Sequence, residues 1–420
     1  MNIIYDLQGF LPSLNSGGPP RIPAMIFEEK YKVNENLFNE FIIGSDGIYN
    51  WLEIRNDIHD KNYYKNPQSK IFIDKLLRYV SYKFPLFSNT KKLELITYFY
   101  EWNLRHLYER LVSKLDNHII HSHNNHSLTN FSGSNTPTKR KIILTFHSKG
   151  SIVSDYQGSN GLNPQSKFAK RLRSRERRSI GLADIITFPS RGAKSLLESE
   201  FNYVNLLGKK DIRIIYNGID IDKINKICED SAKDPEKSKF RIINIAEHVQ
   251  QKRIDLILDA LGVLKSEFDF EFINIGAGIL TEELLNKTKT LGLENRVKFI
   301  GKLKNPEVIE LLKNSNVFVL PSENVVFDLV TLEAMAVGLP VIVSADGGNM
   351  ETIKDGFNGL SIQKGDLGNL INDIRYIYQN KEKAQQMGIE AKKLVIDKYS
   401  SKRMFKEYMD LYEELNIKMK

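Results

Sequence analysis

Residues 321–359 read PSENVVFDLVTLEAMAVGLPVIVSADGGNMETIKDGFNG and carry the pattern that decides the fold. The apolar run 317–320, just before them, predicts a buried strand, and a polar loop and a helix beginning near Leu329 follow it. A second apolar run, 340–343, predicts the next strand, and Gly347 and Gly348 predict a turn after it. This order of strand, helix and strand is typical of a parallel, doubly wound sheet.

Glu333, within the predicted helix, is the first candidate for a binding residue. A carboxylate in the first turns of a helix that follows a strand's carboxyl end points toward the crevice where open α/β sheets bind ligands. The backbone amides at the start of the same helix suit an anion such as a diphosphate. The alternative interpretation is an ordinary βαβ unit with a tight turn and no ligand.

Short apolar runs also divide the rest of the chain. In the second half they alternate with helical patterns, which predicts that the sheet continues with strands at 241–246, 270–275 and 297–300. The first half has runs of buried-strand length at 3–7, 41–44, 118–121, 141–147 and 183–190. Residues 51–115 are instead helix-like and rich in aromatic side chains. The polar stretch 229–239 predicts a linker between two domains.

The composition limits the class of protein. A chain of 420 residues can bury two cores, and its single cysteine, Cys228, excludes an internal disulfide and favours a reducing compartment. No signal peptide is evident, and no apolar run has the length needed to span a bilayer. We therefore expect a cytoplasmic protein.

The positive charge is concentrated in the first half of the chain. Residues 1–221 carry 31 Lys+Arg against 21 Asp+Glu, whereas residues 222–420 carry 29 against 31. An anionic partner is therefore expected at the first half. A nucleic acid is not expected, because no helix-turn-helix, zinc-finger or aromatic-plus-basic sheet pattern accompanies the charge.

The order of residues in 321–359 resembles the donor-binding segment of family-4 retaining glycosyltransferases, which have the GT-B architecture. The positions that carry the resemblance are Phe327, Leu329, Val330, Leu332, Glu333, Ala334, Met335, Ala336, Gly338, Pro340, Val341, Ile342, Gly347, Gly348 and Glu351. The resemblance implies an α/β protein with two Rossmann-like, doubly wound domains facing a cleft. It implies an acceptor domain at 1–228 with a helical insertion at about 48–115, a nucleotide-sugar domain at 240–397, and a helix at 398–420 that returns to the first domain.

The same resemblance implies an activity and a donor site. The activity is retaining transfer of a sugar from a UDP- or GDP-linked donor to a glycan, lipid-linked or protein acceptor. Lys252, a catalytic candidate, stands at the family's lysine that pairs with the donor diphosphate, and Glu333 stands at the position that contacts the ribose. Amides around Phe327, Asp328 and Leu329 would complete the diphosphate site, so neither a metal nor another cofactor is expected.

Two features of the first half belong to the same resemblance. Gly17 and Gly18 match the glycine loop after the first strand, where backbone amides can approach a phosphate closely. His147, the second catalytic candidate, matches a Thr-x-His motif at a strand end and is expected to help polarise the glycosidic bond. The alternatives are a plain turn for the glycines and a capping histidine without a ligand. The four histidines within 118–126 suggest a metal site, which the lack of interleaved carboxylates or cysteines disfavours.

The chain departs from the family pattern at two positions. Glu247 stands where the family has an arginine, so either the loop is turned or Arg253, which replaces a usual glycine, supplies the missing charge. Val325 stands where the family has the glutamate that contacts sugar hydroxyls, and Glu323 or Asp328 could substitute for it. These departures motivate an alternative function, a non-catalytic GT-B subunit that binds a glycan or partners an active glycosyltransferase.

Residues 167–178, KFAKRLRSRERR, have the densest charge in the chain, with seven basic residues and one acid. A solvated helix face is the simplest interpretation. A thin apolar stripe, Phe168, Leu172 and then Ile180, also allows docking on an anionic lipid surface. Because members of the resembled family often act on lipid-linked acceptors, peripheral contact with the inner face of the membrane is the alternative interpretation of this segment.

Overall fold

The computed structural model describes residues 1–8, 21–34, 37–45, 50–55, 108–109, 112, 115, 117–131, 139–200, 202–231 and 239–420. These residues form two compact units. Met1–Pro189, Ala193–Tyr216 and Met404–Lys420 make unit 1, while Ser190–Gly192 and Asn217–Arg403 make unit 2. Within the described ranges, no helix combines the length and the apolar character that crossing a bilayer requires.

Unit 1 is built on a seven-stranded sheet of order β3-β2-β1-β4-β5-β6-β7. Its strands are β1 (Asn2–Gln8), β2 (Asn39–Ser45), β3 (Asn50–Arg55), β4 (His118–Ser122), β5 (Arg140–Thr145), β6 (Ile185–Phe188) and β7 (Asp211–Ile214). The helices from the same part of the chain are α1 (Arg21–Val33), α2 (Ile152–Asn160), α3 (Lys167–Leu182), α4 (Arg191–Glu198) and α5 (Tyr203–Leu207), with a 3₁₀ turn at Leu128–Phe131. Strands β4 and β6 are buried along their whole length, as continuous apolar runs in parallel sheets are.

Unit 2 is built on a six-stranded parallel sheet of order β10-β9-β8-β11-β12-β13. Its strands are β8 (Phe240–Ile245), β9 (Phe270–Ile275), β10 (Val297–Phe299), β11 (Val317–Leu320), β12 (Val341–Ser344) and β13 (Leu360–Ile362). The helices from this part of the chain are α6 (Ile221–Asp230), α7 (Ile254–Leu264), α8 (Thr281–Thr290), α9 (Asn305–Lys313), α10 (Leu329–Ala336), α11 (Asn349–Thr352), α12 (Leu367–Gln379) and α13 (Lys381–Lys398). They are followed by α14 (Ser401–Ile417), whose residues from Met404 onward belong to unit 1. Strand β8 lies between β9 and β11, so the strand order reverses there and creates a switch point at the sheet's carboxyl edge.

The two sheets with alternating helices confirm the predicted α/β, doubly wound fold. Two details differ from the prediction. Residues Asn50–Arg55, expected within a helical insertion, form β3 and pair antiparallel with β2. The Asp46-Gly47 pair between these strands is a hairpin signal that favours this outcome over a helix. Residues 56–107 of the expected insertion lie outside the described residues.

The second difference is the helix α6, which belongs to unit 2, whereas the family resemblance implies a first domain that extends to residue 228. The Lys313 ammonium, on α9, donates to the backbone carbonyls of Cys228 and Ser231 at the end of α6. A cation at the last carbonyls of a helix also interacts favourably with the negative end of the helix dipole. These contacts between α6 and α9 tie residues 221–231 to unit 2.

The end of α14 is part of the core of unit 1. The hydroxyl of Tyr412 lies 3.0 Å from that of Tyr5 on β1 and 2.7 Å from Nδ1 of His121 on β4. Tyr412 is fully buried, as is Tyr408 one turn earlier. The apolar residues that recur at helical spacing near the end of the sequence therefore pack on the first sheet.

Glu176, on α3, is a buried carboxyl group at the centre of unit 1. It is 0% exposed and accepts hydrogen bonds from the Ile152 amide at 2.9 Å, from Nδ2 of Asn125 at 3.1 Å, and from the Tyr203 hydroxyl. Burial raises the pKa of Glu176 to about 7, and the three donors oppose that rise. Removal of the carboxyl from water therefore shifts its pKa more than the three hydrogen bonds do. Because the pKa differs between the folded and unfolded states, Glu176 makes the stability of the protein depend on pH.

Glu176→Gln should change how the free energy of unfolding depends on pH. The folded carboxyl ionises near pH 7 and the unfolded one near pH 4.5, so its contribution is fully present below pH 4.5 and is lost as the pH rises toward 7. The wild type should lose about 3 kcal/mol relative to Glu176→Gln across this window. Urea unfolding of both proteins at several pH values measures this difference in the free energy of unfolding.

The buried histidines have lowered pKa values, which destabilise the fold at low pH and so give the opposite pH dependence. Both proteins share this contribution, so it cancels in the difference between their free energies of unfolding. Glu198→Gln is the matched control, because Glu198 lies on α4 in an ion pair with Lys194 and is partly exposed. Its pH profile should follow that of the wild type. Parallel profiles for wild type and Glu176→Gln would contradict the assigned burial effect.

Candidate active site

The candidate site of unit 2 lies at the carboxyl edge of its sheet, where the loops after β8, β11 and β12 meet. Gly347 has a φ of 51° and Gly348 donates its amide to the Val325 carbonyl at 3.1 Å. A Cβ at Gly347 would collide with the Val325 carbonyl, and one at Gly348 with the Val326 carbonyl. The two glycines thus let the loop before α10 lie directly against the turn after β12, which fixes where α10 begins.

Lys252 and Asp328 are brought together at the start of α10. Lys252 ends a 3₁₀ turn, Gln250–Lys252, after β8, and Asp328 is the N-cap residue of α10. The Lys252 ammonium lies 3.1 Å from Oδ1 of Asp328, and the two side chains are only 19% and 17% exposed. The ammonium is therefore held beside the first amides of a helix, and an anionic ligand there would compete with Asp328 for it.

Arg253 and Glu323 are also brought together, as an ion pair. Nη1 of Arg253 lies 2.7 Å from Oε1 of Glu323, and its Nη2 lies 3.2 Å from Oδ2 of Asp255. Hydrogen bonds to Asp255 and then Glu323 raise the pKa of Arg253. Lys364, which the sequence did not suggest, lies 3.3 Å from the other oxygen of Glu323. Both predicted ligand-binding side chains thus have protein partners already.

The backbone of Arg253 has a φ of 48°, in the left-handed region that glycine adopts freely. For a residue with a Cβ this conformation costs roughly 1–2 kcal/mol. The bonds of the guanidinium to Asp255 and Glu323 offset that cost. This explains how an arginine is accommodated where the resembled family has a glycine.

Glu333 lies on the buried side of α10. It is 3% exposed, and its Oε1 accepts a hydrogen bond from Nδ2 of Asn305, the first residue of α9, at 2.7 Å. Asn305 was missed because nothing in the sequence around it differs from an ordinary helix start. The side chains of Phe327 and Leu329 are each 8% exposed, and the Phe327 ring packs 5.5 Å from that of Tyr399. Those two residues can therefore offer a ligand little beyond their backbone groups.

The two departures from the family pattern have different surroundings. Val325 is 3% exposed and forms part of the core. Glu247 is exposed, and its side chain makes no hydrogen bond or ion pair with any described residue. The next residue, His248, is buried between Thr281 at 2.8 Å and Asn274 at 2.6 Å. The loop thus directs the Glu247 carboxylate into solvent, in agreement with a turned loop.

His147 follows β5 in unit 1, and Gly17 and Gly18 lie outside the described residues. Nε2 of His147 lies 2.8 Å from Nδ1 of His123, which follows the adjacent strand β4. Burial lowers the pKa of His147 to about 4 and that of His123 well below its usual value. Both imidazoles are therefore neutral at physiological pH.

Three of the four histidines that suggested a metal site have hydrogen-bond partners within the protein, whereas the buried ring nitrogens of His126 have none among the described residues. His118 lies 3.0 Å from the Tyr108 hydroxyl, and His121 lies between Tyr412 and Thr145 at 2.7 Å from each. In the part of the chain that the structure describes, no three His, Cys, Asp or Glu side chains are grouped to hold a metal ion.

The apolar stripe of α3 is not available to a lipid surface, contrary to the prediction. Phe168 and Leu172 pack with Ile152, Val153 and Leu162 in a buried cluster, and Ile180 is fully buried. The stripe is apolar because it faces the core of unit 1, the usual reason for apolar residues at helical spacing. Four basic residues of the segment remain exposed: Lys167, Lys170, Arg171 and Arg178.

Two protein families match consecutive parts of the chain. The family described as "Glycosyltransferase Family 4" matches residues 71–223, and "Glycosyl transferases group 1" matches residues 227–394. Among curated proteins, an uncharacterised glycosyltransferase of Methanocaldococcus jannaschii is 29% identical over 53% of this chain and 58% of its own length. N-acetyl-alpha-D-glucosaminyl L-malate synthase of Bacillus anthracis is 28% identical over 66% of this chain and 68% of its own length. The chain thus spans little more than half to two thirds of these relatives.

Solved structures share the fold over the whole chain. Sucrose-phosphate synthase from Thermosynechococcus elongatus superposes with a TM-score of 0.68 at 17% identity, covering 99% of both chains. Anabaena HepE, solved in complex with UDP, gives a TM-score of 0.65 at 16% identity over 99% of this chain and 100% of its own. At such low identity these similarities establish the architecture.

Proposed function

Since this chain belongs to the GT-B glycosyltransferases of family 4 and group 1, we propose that it transfers a sugar from a nucleotide-sugar to a glycan, lipid-linked or protein acceptor. The single observation that carries the proposal is the position of Lys252, 3.1 Å from the N-cap residue of α10 at the switch point of unit 2. A cation and a helix start at this edge suit a diphosphate. HepE, whose solved structure contains UDP, has the same fold.

The proposed catalytic contribution of Lys252 is charge neutralisation. Negative charge develops on the diphosphate as the sugar departs, and a fixed ammonium in a partly buried site stabilises that charge. The ammonium and the amides of α10 supply positive charge of the kind that a divalent cation supplies in other transferases, so we propose transfer without a metal. For this contact to form, the diphosphate must replace Asp328 as the partner of Lys252. The released Asp328 carboxylate then becomes available to a sugar hydroxyl.

We place the donor ribose at Glu333, whose carboxylate is buried and can accept hydrogen bonds from ribose hydroxyls. The donor is a UDP- or GDP-linked hexose, and retention at the anomeric carbon follows from the family resemblance. Arg253 and Glu323 shape the rim of this site, because each is bound to the other and to a further charged residue. We also propose that His147 donates a hydrogen bond to the substrate.

Calorimetric titration of the purified protein with UDP, GDP and ADP tests the proposed function. We expect binding of UDP or GDP in the absence of added metal, and slow hydrolysis of the matching nucleotide-sugar when no acceptor is present. The alternative is the non-catalytic subunit, which the buried Val325 and the solvent-facing Glu247 favour. Absence of affinity for all three nucleotides would support that alternative and overturn the enzymatic proposal.

We further propose that the exposed basic residues of 167–178 bring the protein to anionic lipid headgroups, where a lipid-linked acceptor would lie. The attraction is electrostatic, because the apolar stripe is buried, and should amount to about 1 kcal/mol per basic residue near the surface. Co-sedimentation with phosphatidylserine vesicles should decrease steeply as salt rises. Equal sedimentation with neutral phosphatidylcholine vesicles would contradict this contact.

A further inference from the structure

The hydrogen bond between His123 and His147 has a specific geometry. The two ring planes are inclined by only 8° and the ring centroids are 5.1 Å apart, while Nδ1 and Nε2 are 2.8 Å apart. The centroid separation matches the sum of the N···N distance and the two ring radii, which is the largest separation that this contact allows. The two rings therefore meet edge to edge in one plane. Imidazole N–H groups and lone pairs lie in the ring plane. The contact is therefore a straight hydrogen bond and not a face-to-face stack.

His123 is held firmly enough to orient its partner. It is 5% exposed, its backbone amide donates to the Asp6 carbonyl at 2.9 Å, and the His121 ring packs 4.2 Å from its own. His121 is fixed in turn by Tyr412 and Thr145. His147 is half-buried, and the hydrogen bond to His123 is its only side-chain hydrogen bond within the described residues.

Only one proton can lie between the two neutral rings, so two arrangements exist. In the first, His123 donates from Nδ1, and its Nε2 is an unprotonated nitrogen. In the second, His147 donates from Nε2, and His123 carries its proton on Nε2. That Nε2 atom is buried without a hydrogen-bond partner among the described residues. A buried N–H group without an acceptor is rarer than an unused acceptor, so the first arrangement is favoured.

We propose that His123 is a positioning residue that donates Nδ1–H to Nε2 of His147 and thereby keeps the proton of His147 on Nδ1. His147 then presents a hydrogen-bond donor, and not a base, to the substrate. Such a group can polarise a sugar or phosphate oxygen and cannot deprotonate an acceptor hydroxyl. The part of the inference that concerns the substrate rests on the proposed function, whereas the assignment of the tautomer stands without it.

Two substitutions of His123 separate donation from packing. In His123→Asn, the amide Nδ2 lies near the position of Nδ1 and remains a donor. In His123→Asp, an acceptor-only carboxylate lies at the same position, and His147 must then donate from Nε2. Nitrogen NMR of the full chain, labelled with ¹⁵N-histidine, reports which nitrogen of His147 carries the proton. The signals of His147 are assigned by their absence in His147→Gln.

We expect a protonated Nδ1 and a bare Nε2 on His147 in the wild type and in His123→Asn. We expect a protonated Nε2 in His123→Asp. His118→Asn, at the opposite end of β4, is the control and should leave the His147 signals unchanged. A wild-type His147 protonated on Nε2 would overturn the proposal, as would an unchanged tautomer in a folded His123→Asp. Circular dichroism checks that each variant folds. If His123→Asp does not fold, the tautomers measured in the wild type and in His123→Asn provide the test.

Transfer kinetics then test the positioning role. His123→Asp should lower kcat by roughly 10²-fold, the scale of a lost catalytic hydrogen-bonding partner, and leave the donor KM nearly unchanged. His123→Asn should keep kcat within several-fold of the wild type. Equal losses of kcat in both variants would show that His123 acts through packing alone. Because the NMR measurement needs no substrate, failure of the tautomer assignment is distinguishable from failure of the proposed function.

Discussion

Replacing Lys252 by alanine should lower kcat for sugar transfer by about 10²–10³-fold, the loss expected when a fixed group that stabilises developing charge is removed. The ammonium is held 3.1 Å from Asp328 at the start of α10 and is only 19% exposed, so water cannot fully replace it. The variant also leaves Asp328 without its cation, which adds repulsion toward a diphosphate. Initial rates with saturating nucleotide-sugar measure the effect.

Lys364→Ala is the matched control for Lys252→Ala. Lys364 is also a cation at the carboxyl edge of unit 2, but it is 49% exposed, and among the described residues its ammonium forms an ion pair only with Glu323. We expect a change in rate of a few-fold at most. Lys364→Ala should unfold within about 1 kcal/mol of the wild type, because a largely exposed ion pair stabilises little. Lys252→Ala should cost more stability but stay folded, because it leaves the mostly buried Asp328 carboxylate without its cation. Comparable losses of activity in the two variants would show that general positive charge, and not the position of Lys252, matters.

The sequence predicted the elements that position this site because they depend on local patterns. The apolar runs gave β11 and β12, and α10 begins at Leu329 as expected. Gly347 and Gly348 are required by a close approach of the Val325 and Val326 carbonyls. By contrast, β13 has three residues and is too short for its period to be recognised.

The charge pairing within the site could not be predicted from the sequence. Arg253 and Glu323 were each expected to contact a ligand, and they contact each other because loops after two different strands converge. Such contacts join residues 70 positions apart and have no sequence period. The same holds for Asn305, which contacts Glu333 from the start of α9. Sequence patterns identify the edge of a sheet at which a site forms, whereas side-chain partners across that edge depend on the tertiary structure.

Replacing Glu333 by glutamine should weaken donor binding by about 10- to 100-fold, since hydrogen bonds to a charged group contribute roughly 1.5–3 kcal/mol. The effect should appear in KM and in the nucleotide dissociation constant, because the ribose contact is the same in the ground state and the transition state. Glutamine keeps an oxygen for Nδ2 of Asn305, whose bond to Glu333 is 2.7 Å long. Stability should therefore change little.

A comparison of UDP with 2′- and 3′-deoxy-UDP by calorimetry locates this effect at the ribose, and GDP analogues serve if the donor is GDP-linked. The wild type should discriminate against at least one deoxy analogue, and Glu333→Gln should lose most of that discrimination. Glu307→Gln is the matched control, because Glu307 is an exposed carboxylate in the first turn of the same helix, α9, that carries Asn305. Unchanged discrimination in Glu333→Gln would show that the ribose does not bind at Glu333 on α10. It would leave the proposed contact between the diphosphate and Lys252 unaffected. The two contacts can therefore fail independently, and each variant tests one end of the nucleotide.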